Sequence, residues 1–425
     1  MAERNLPNAS HLTARPSSWR GLLLASCTLA GTAALCAPAS AQCRYTATFV
    51  GNYQCPQPLD VMAFIGHDIN ANGTWAGYRW RCPPNDNFDI AVVGTEGGPP
   101  CDLPLPPREE TTQALGLNDN GVVVGYAWTF AQTATIWFPD SIVMLPPLPG
   151  GVGSIANAVN NSSQVVGSRD VGQRRVGFIW QDGKFTEFDP GPDTQCDVRD
   201  IANSGLAAGD VGSLVSGGWA FRWDGRRVDW LPPFAGGTAS KGLAINDAGV
   251  VVGFTFGPLP FWRSGSRATV WQSNVGQALA ELPLYKNSFA TDINNRDVIV
   301  GYAVQPTNPR TMQPQVGILW VHGEAITLQT LVDGQGAFIC YEAVALNDAG
   351  QILATCSGTD GVGLFILTPT ASPPEDLTGD CAVDADDLGV LLTKWGTHGP
   401  EADFNEDAVV DGSDLAVMLG AWTRR

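Results

Sequence analysis

The sequence is poor in charged residues and in histidine. Only 16% of its 425 residues are charged, and it contains 4 histidines. Beyond residue 41 these are His67, His322 and His398, which are too scattered to indicate a zinc triad or a Ser–His pair. We interpret His67 and His322 as structural or exposed residues. Gly-x-Ser-x-Gly, His-Glu-x-x-His and Walker motifs are missing as well. The sequence therefore offers no catalytic constellation.

Basic residues are few and do not cluster. Lys and Arg number 24 against 42 Asp and Glu, which gives a formal net charge of −18. An acidic chain without a basic patch is repelled by nucleic acid, so nucleic-acid binding is excluded. The segment from Glu375 to the end holds 12 of the acidic residues and three basic ones, so the negative charge is concentrated there.

Long apolar runs are confined to the N-terminus. The run from Gly21 to Ala37 follows Arg15 and Arg20 and precedes the small-residue site Ala39-Ser40-Ala41. We predict a signal peptide over residues 1–41, and hence an extracellular or cell-surface protein with no membrane span after cleavage. One alternative is a transmembrane anchor, although the run is shorter than the roughly 20 residues that span a bilayer. Another is a lipoprotein modified at Cys27.

Cys-x-x-Cys pairs, which would indicate a zinc site, are missing. Eight cysteines remain after residue 41, and an even number in an exported chain favours disulfides. The simplest pairing joins neighbours in sequence and leaves Cys196 and Cys381 over. The pairs would be Cys43 with Cys55, Cys82 with Cys101, and Cys340 with Cys356.

Glycine and tryptophan, by contrast, are abundant, with 49 and 14 copies. They belong to a repeat whose clearest copy is Ala244 to Phe254, which predicts a strand, an Asn-Asp-x-Gly turn and a second strand. Seven copies can be aligned, and self-similarity of this kind indicates a repeat architecture. Their equivalent turn positions are 70, 118, 160, 202, 246, 294 and 347.

Each repeat contains four strand candidates, the third of which ends on an apolar-Trp pair such as Ile136-Trp137. Four antiparallel strands in repeats of about 43 residues are typical of a propeller blade. We predict a mainly β fold in which residues 42–368 form a seven-bladed β-propeller. The seventh repeat lacks a fourth strand, and we expect Arg44 to Val50 to supply it and so close the ring. The alternative is an open β-solenoid.

The repeated polar and aromatic residues have structural explanations. Asp119, Asp247 and Asp348 fall in the hairpin turns, where Asp is favoured because it bonds to the backbone. The tryptophans that end the third strands are predicted to lie in the core between blades. Tryptophans outside that register are better candidates for a ligand-binding face, and these are Trp75, Trp80, Trp219 and Trp262.

These repeats resemble the bacterial extracellular HAF repeats over roughly Ala63 to Leu367. The resemblance rests on the Ile-Asn-Asp-x-Gly-x-Val-Val-Gly core and on the apolar-Trp strand. The chain departs from the family at its naming His-Ala-Phe tripeptide, of which Ala220-Phe221 remains. The resemblance implies an exported repeat domain and identifies no substrate.

A Pro/Ser/Thr-rich linker over residues 369–375 precedes a duplicated acidic segment over residues 376–425. Each copy places oxygen ligands at loop positions 1, 3, 5, 9 and 12, with a backbone carbonyl at position 7, which is the pattern of a calcium loop. We therefore predict two Ca²⁺ sites. The ligands are Asp376, Thr378, Asp380, Ala382, Asp384 and Asp387 in the first loop, and Asp403, Asn405, Asp407, Val409, Asp411 and Asp414 in the second.

Each loop is followed by apolar residues at helical spacing, which predicts two helices that pack face to face. The stripes are Leu388, Leu391, Leu392 and Trp395, and Leu415, Met418, Leu419 and Trp422. The alternative is a solvated acidic tail.

The duplicated segment is similar to a dockerin, and we predict a small all-α calcium-binding dockerin-like domain. That resemblance implies attachment to a cohesin-like or other surface protein. The segment departs from the pattern at loop position 6, where Cys381 and Ala408 replace glycine. The residues at positions 10 and 11, Ala385-Asp386 and Gly412-Ser413, do not match the known cohesin-binding pairs.

Two functions follow from these features. The first is an exported protein that binds or presents through its propeller, with a possible glycan ligand, and is attached through the calcium segment. The second is a polysaccharide-active enzyme, a glycoside hydrolase or lyase in the propeller, carried on a dockerin. The missing acid/base pair favours the first.

Overall fold

The fold was analysed in a computed structural model of the chain. The structure describes residues 44–52, 62–81, 88–128, 130–172, 174–213, 217–257, 265–305, 315–321, 323–332, 338–370, 374–378, 383–398, 402–405 and 407–422. Several predictions lie outside the described residues and stay predictions. They concern the signal peptide, Cys43, Cys55, Cys82, Trp262, His322, Asp380, Cys381 and Ala382.

The described chain folds almost entirely into short antiparallel strands. Five sheets have four strands each. In each sheet, neighbouring strands are paired in order from the inner strand to the outer one. Three of them are β2 (Met62–Ile69), β3 (Thr74–Arg81), β4 (Asp89–Thr95) and β5 (Cys101–Asp102); β6 (Thr111–Leu117), β7 (Val123–Trp128), β8 (Gln132–Phe138) and β9 (Ser141–Leu145); and β18 (Ala239–Ile245), β19 (Val251–Phe256), β20 (Ser266–Trp271) and β21 (Gln277–Ala278). The other two are β22 (Asn287–Ile293), β23 (Ile299–Val304), β24 (Gln315–Val321) and β25 (Glu324–Thr327); and β26 (Ile339–Leu346), β27 (Ile352–Gly358), β28 (Gly361–Pro369) and β1 (Tyr45–Asn52).

The remaining eight strands form a single sheet. They are β10 (Ser154–Val159), β11 (Val165–Val171), β12 (Arg174–Gln181), β13 (Lys184–Phe188), β14 (Thr194–Ile201), β15 (Ala207–Ser213), β16 (Gly218–Trp223) and β17 (Val228–Leu231). The prediction of seven separate blades is therefore wrong, since the structure has five four-stranded blades and one eight-stranded sheet. The two halves of that sheet are joined where β12 pairs in parallel with β14 at Arg175 and Gln195. An ion pair from Arg175 to Asp197 holds the same junction together, at 2.8 Å.

The glycine that recurs in six of the seven second strands is explained by a β-bulge in the inner strand. In β6 the register shifts between Ala114 and Gly116. The bulge turns the carbonyl oxygen of Gln113 towards Gly125, where a Cβ atom would lie 1.9 Å from it. Only glycine fits this contact without moving the backbone. The recurring glycine therefore marks a close approach of two backbones within six of the seven units, and Ala354 takes this position in the last one.

The N-terminal strand completes the last blade, as predicted. β1 pairs antiparallel with β28, and the register runs from Tyr45 opposite Pro369 to Asn52 opposite Gly363. Tyr45 is buried, and its backbone N–H donates to the carbonyl of Leu331 at 2.9 Å. Both partners would otherwise present an open sheet edge. This pairing closes the ring and argues against an open solenoid.

The core lies between neighbouring sheets, where the strand faces are apolar. The tryptophans that end the third strands are buried, as predicted, and the indole N–H of Trp137, Trp271 and Trp320 donates to a carbonyl of the preceding unit. Each of these three tryptophans therefore buries a large apolar surface while its indole N–H keeps a hydrogen-bond partner.

The C-terminal segment, residues 374–422, contains two short helices, α1 (Ala385–Thr393) and α2 (Gly412–Gly420). Its small core is built around Val383, Leu391, Ala402, Val410 and Met418. The prediction of a distinct all-α domain is wrong. The helices have nine residues each, the other described residues of the segment are loop, and Ser40–Arg425 form one compact unit. The loops take so much of the segment because they supply the acidic side chains.

The described cysteines follow the predicted pairing in part. Cys340 and Cys356 form a disulfide between β26 and β27, as predicted. Cys196 is buried and free, and Cys101 has no disulfide partner among the described residues. Within the same part of the chain, none of the helices has the length and apolar character needed to cross a bilayer.

Candidate functional sites

The seven predicted turns meet around a central channel and are connected there by asparagine side chains. The Oδ1 atom of Asn118 accepts from Asn120 N at 3.0 Å and from Val122 N at 2.9 Å, and so caps its own turn. Its Nδ2 donates to the carbonyl of Asn160, the next turn position, at 2.9 Å. Each asparagine therefore belongs to two units at once. We call this ring of side chains the asparagine ladder.

The ladder passes around the channel and closes on itself. Its donors are Asn70, Asn118, Asn160, Asn246, Asn294 and Asn347, and the bond from Asn347 to Asn70 is 2.9 Å long. The ladder is interrupted at Ala202, whose methyl group cannot donate. Because these amides are buried, their hydrogen bonds exclude water and fix the register of neighbouring units.

A second ring lies one residue further along each turn. Asp119, Asp247 and Asp348 accept from the backbone N–H groups of Ala71, Asn203 and Asn295, at 2.8, 2.6 and 2.8 Å. The prediction that these aspartates are structural is confirmed, but their bonds run between turns and not within one.

Three further aspartates line the channel, and the sequence analysis missed them. They precede the ladder residues at Asp68, Asp200 and Asp292, and each uses its carboxylate to connect two units. Asp200 accepts from Ile201 N at 2.7 Å and from Ile245 N at 2.8 Å. Asp-Ile before the turn in three of the seven copies was the available signal. The other copies have Gly or Ala there, so the position varies among the repeats.

Together with the turn residues, these aspartates line a cavity of about 170 Å³. Burial raises the pKa of Asp68 and of Asp200 to about 6, and it raises the pKa of Asp292 well above its usual value. Repulsion from neighbouring aspartates, Asp119 beside Asp68 among them, adds to the effect of burial on these pKa values. Protonation of these three aspartates is therefore coupled to how the units pack around the channel.

The tryptophans predicted for a ligand face are found in different environments. Trp75 is fully buried against Phe64, so it belongs to the core and that prediction is wrong. Trp80 is partly accessible and lies beside Tyr78. Trp219 is 46% exposed and remains a candidate. Trp75 was misassigned because it lies on the second strand, where the register differs from that of the repeated tryptophans.

The described histidines have structural environments. His67 occupies the bulge of β2 and stacks on Tyr78, with ring centroids 5.7 Å apart. Burial lowers its pKa to about 4, so it is neutral at physiological pH. His398 contacts the carbonyl of Ala408 through Nδ1 at 2.7 Å and so connects the two halves of the C-terminal segment.

The second acidic loop brings three predicted ligands together. Carboxylate oxygens of Asp403, Asp407 and Asp414 lie within 4.8 Å of one another. Backbone N–H groups turn these side chains inwards, since Ala408 N donates to Asp403 at 2.8 Å and Val409 N donates to Asp407 at 3.0 Å. The loop is curled around its acidic side chains.

The two loops end in the same way. In each, the ninth residue is a helix N-cap and the twelfth completes a capping box, as Asp384 with Asp387 and Asp411 with Asp414. Both N-caps have φ −146° and ψ −157°. Asp387 and Asp414 are fully buried, which a solvated acidic tail would not produce. Positions 9 and 12 therefore have a capping role as well as the predicted metal-binding one.

Loop position 6 is strained in the second loop. Ala408 has φ +71°, a conformation that favours glycine because it has no Cβ atom. The departure noted in the sequence thus has a physical cost at Ala408, while Cys381 lies outside the described residues.

The predicted apolar stripes pack only in part. Leu391 and Met418 are fully buried, and Leu388, Leu415 and Trp422 pack against them. Leu392, Trp395 and Leu419 instead are exposed by 54%, 46% and 53%. Leu392 and Leu419 occupy equivalent positions in α1 and α2, so the exposed surface follows the duplication. A nine-residue helix has too few turns to bury every position of its stripe against one partner.

No family model matches the chain, and no curated protein matches it. The resemblances to HAF repeats and dockerins therefore stay resemblances. Among solved structures, the chain is similar to the β-propeller domain of the Trilobed protease from Pyrococcus furiosus, with 8% identity and a TM-score of 0.51 over 72% of this chain and 93% of that one. It also matches prolyl endopeptidases with 11% identity and a TM-score of 0.47 over 75% of this chain, and spans only 51% of theirs. A virginiamycin B lyase from Staphylococcus aureus matches with 8% identity and a TM-score of 0.43, over 76% of this chain and 99% of that one. Identities this low establish the fold alone. The chain has a β-propeller fold.

Proposed function

We propose that this is an exported binding or presenting protein whose C-terminal segment binds two Ca²⁺ ions and attaches the propeller to a partner. The observation that carries the proposal is the convergence of Asp403, Asp407 and Asp414 in a loop with calcium-loop spacing. The first loop repeats the spacing and the helix-capping geometry.

The donor set suits a hard cation. Carboxylate, amide and hydroxyl oxygens are the ligands that Ca²⁺ takes, and the predicted ligand positions of the loops offer only oxygen atoms. A bound Ca²⁺ would neutralise carboxylates that repel one another at this distance. In the second loop, Asn405 adds an amide oxygen and Val409 a backbone carbonyl at the expected positions. The described part of the first loop places Asp376, Asp384 and Asp387 in buried positions.

The exposed apolar residues of the helices support the attachment role. Leu392, Trp395 and Leu419 present apolar surface beside the acidic loops. Apolar residues rimmed by polar ones are typical of protein interaction sites. We propose a cohesin-like or other surface protein as the partner. Because a segment of this size has a small core, Ca²⁺ is expected to order the helices before they dock.

Calcium titration tests the proposal. We expect Ca²⁺ to release measurable heat on binding to the full chain and to increase its helical circular dichroism, and EDTA to reverse the change. Asp376→Ala combined with Asp403→Ala is expected to abolish both signals. Asp140→Ala, at an exposed hairpin turn, is the matched control and should leave them unchanged. Identical titrations for the wild type and the double variant would contradict the proposal.

A further inference from the structure

A second cavity lies at the opposite end of the inner strands from the asparagine ladder. It has a volume of about 290 Å³ and opens between β14–β15 and β18–β19. Its lining includes Asp197, Asp210, Lys241 and Phe256, with Gly212 on one wall. Asp197 is four residues from the end of β14, which places it more than about 10 Å from the ladder. This cleft is therefore separate from the central channel, and its volume is close to the lower limit of small-molecule sites.

One connected network of charges includes three residues that line the cleft, Asp197, Asp210 and Lys241. Arg199 donates from Nε to Asp210 at 2.6 Å and lies 3.6 Å from Asp197. The Nζ atom of Lys241 is 3.5 Å from the other oxygen of Asp210. Arg175 joins Asp197 to Asp170, at 2.8 and 3.2 Å. Three cations and three carboxylates thus neutralise one another.

The polar groups of the cleft keep spare hydrogen-bonding capacity. Burial alone would raise the pKa of Asp197, but Arg199 and Arg175 hold it below its usual value. A carboxylate can accept about four hydrogen bonds and an ammonium can donate three, so the bonds above do not exhaust Asp210 or Lys241. The side chain of Lys241 is 37% exposed and can reach a ligand.

One aromatic side chain also lines the cleft. Phe256 packs on Phe254, with ring centroids 5.0 Å apart, and Phe254 in turn packs on Phe289 at 4.8 Å. These ring contacts hold Phe256 in place. Trp219, which is 46% exposed, is the next residue after Gly218 of the lining.

We propose that this cleft binds a neutral carbohydrate. Sugar hydroxyls both donate and accept, and so can bond to carboxylates and to Lys241 together, while the C–H face of a pyranose packs on Phe256. A charged ligand gains no net attraction from a balanced network and would have to break existing ion pairs. The inference deepens the proposed function by naming what the propeller binds, and it is independent of the calcium sites.

The test compares the full chain with a blocked variant on an array of neutral glycans. Gly212 has open space where a Cβ would lie, so Gly212→Leu fills the cleft without a clash in the fold. We expect the wild type to bind at least one neutral glycan and Gly212→Leu to lose that binding. Phe256→Ala should weaken that binding about tenfold. Trp128→Ala removes an exposed aromatic from the equivalent strand position of β7 and should leave it unchanged.

Each other result overturns the proposal. A wild type that binds no neutral glycan, or that binds only charged ones, excludes this ligand class. Binding that survives Gly212→Leu places the ligand elsewhere on the molecule. Thermal unfolding of each variant shows that the fold is intact. Because the array is read with and without Ca²⁺, a failure here is distinct from a failure of the calcium proposal.

Discussion

The aspartates of the channel show how one residue can make the fold depend on pH. Asp200 is held by two backbone N–H groups from different units, yet burial raises its pKa to about 6. The folded chain therefore keeps a proton on this group at pH values where the unfolded chain has released it. Its contribution to stability is present at low pH and is lost as the pH rises through about 6.

Replacing Asp200 with Asn removes this dependence. Relative to the wild type, we expect the free energy of unfolding of Asp200→Asn to rise by about 2 kcal/mol between pH 4 and pH 7. The substitution also removes one hydrogen-bond acceptor. The cost of that loss is the same at both pH values, so it cancels when the two pH values are compared. Urea unfolding at several pH values measures it, with Asp140→Asn as an exposed control that should show no such change. Parallel pH profiles for the wild type and Asp200→Asn would refute the assignment.

The strained loop residue gives a second prediction at this scale. Ala408→Gly relieves the positive φ and should stabilise the C-terminal segment by about 1 kcal/mol. It should also strengthen Ca²⁺ binding, measured by calorimetry. Ala416→Gly, at an exposed position inside α2, is the matched control. We expect it to destabilise the helix by about 1 kcal/mol. Equal losses of stability in Ala408→Gly and Ala416→Gly would contradict backbone strain at Ala408.

Residues differ in how well the sequence predicted them. The role of Trp137 followed from its position in the repeat, because strand burial is local. Asp119 was correctly predicted to be structural, but its partner Ala71 lies in the neighbouring turn and was not predicted. Asp68, Asp200 and Asp292 were missed because their partners lie in the neighbouring unit, and no spacing within one unit shows that contact. Trp75 was misassigned because its environment depends on which face of β3 is covered by the adjacent sheet.

At the scale of elements, the ladder determines how neighbouring units join. Every turn position except 202 carries an asparagine that caps its own turn and bonds to the next one. The sequence predicted the turns, since the Asn-Asp-x-Gly chemistry is local. It did not predict the ladder, which requires all turns to face one axis. Nor did it predict the merging of β12 with β14, which depends on the pairing of Arg175 with Gln195 and on the ion pair to Asp197.

Completing the ladder is expected to stabilise the molecule. Ala202→Asn supplies the missing donor to the carbonyl of Asn246 and should raise the free energy of unfolding by about 1 kcal/mol. Asn118→Ala removes an existing donor and leaves a buried carbonyl with one partner fewer, so it should lower stability by about 2 kcal/mol. Denaturant unfolding of both variants measures the effects. A loss of stability in Ala202→Asn would show that position 202 has no room for the amide.

At the scale of the whole molecule, closure depends on one strand. β1 pairs with β28 from Tyr45 to Asn52, and no other described strand covers that edge. The incomplete last repeat and the single N-terminal strand predicted this arrangement from the sequence. The number of separate sheets was not predictable in the same way, because it depends on one pairing between adjacent units.

Removal of β1 should open the ring. We compare a chain that starts at residue 53 with one that starts at residue 42. The shorter chain is expected to have a melting temperature about 10 °C or more lower, because the edge of β28 and the residues that bury Tyr45 become exposed. A peptide of residues 44–52 added to the shorter chain should restore part of the difference by strand addition. Equal melting temperatures for the two chains would show that β1 does not hold the ring closed.

The pairing of β1 with β28 also determines when the fold can be completed during synthesis. Tyr45 and Pro369 are neighbours in the sheet, yet more than 300 residues separate them along the chain. At ribosomal speeds of about 5 to 20 residues per second, β1 leaves the ribosome roughly 15 to 60 seconds before its partner exists. Until the last repeat has been made, the last sheet is incomplete and the ladder has no return from Asn347 to Asn70. The ring can therefore close only after β28 has been synthesised.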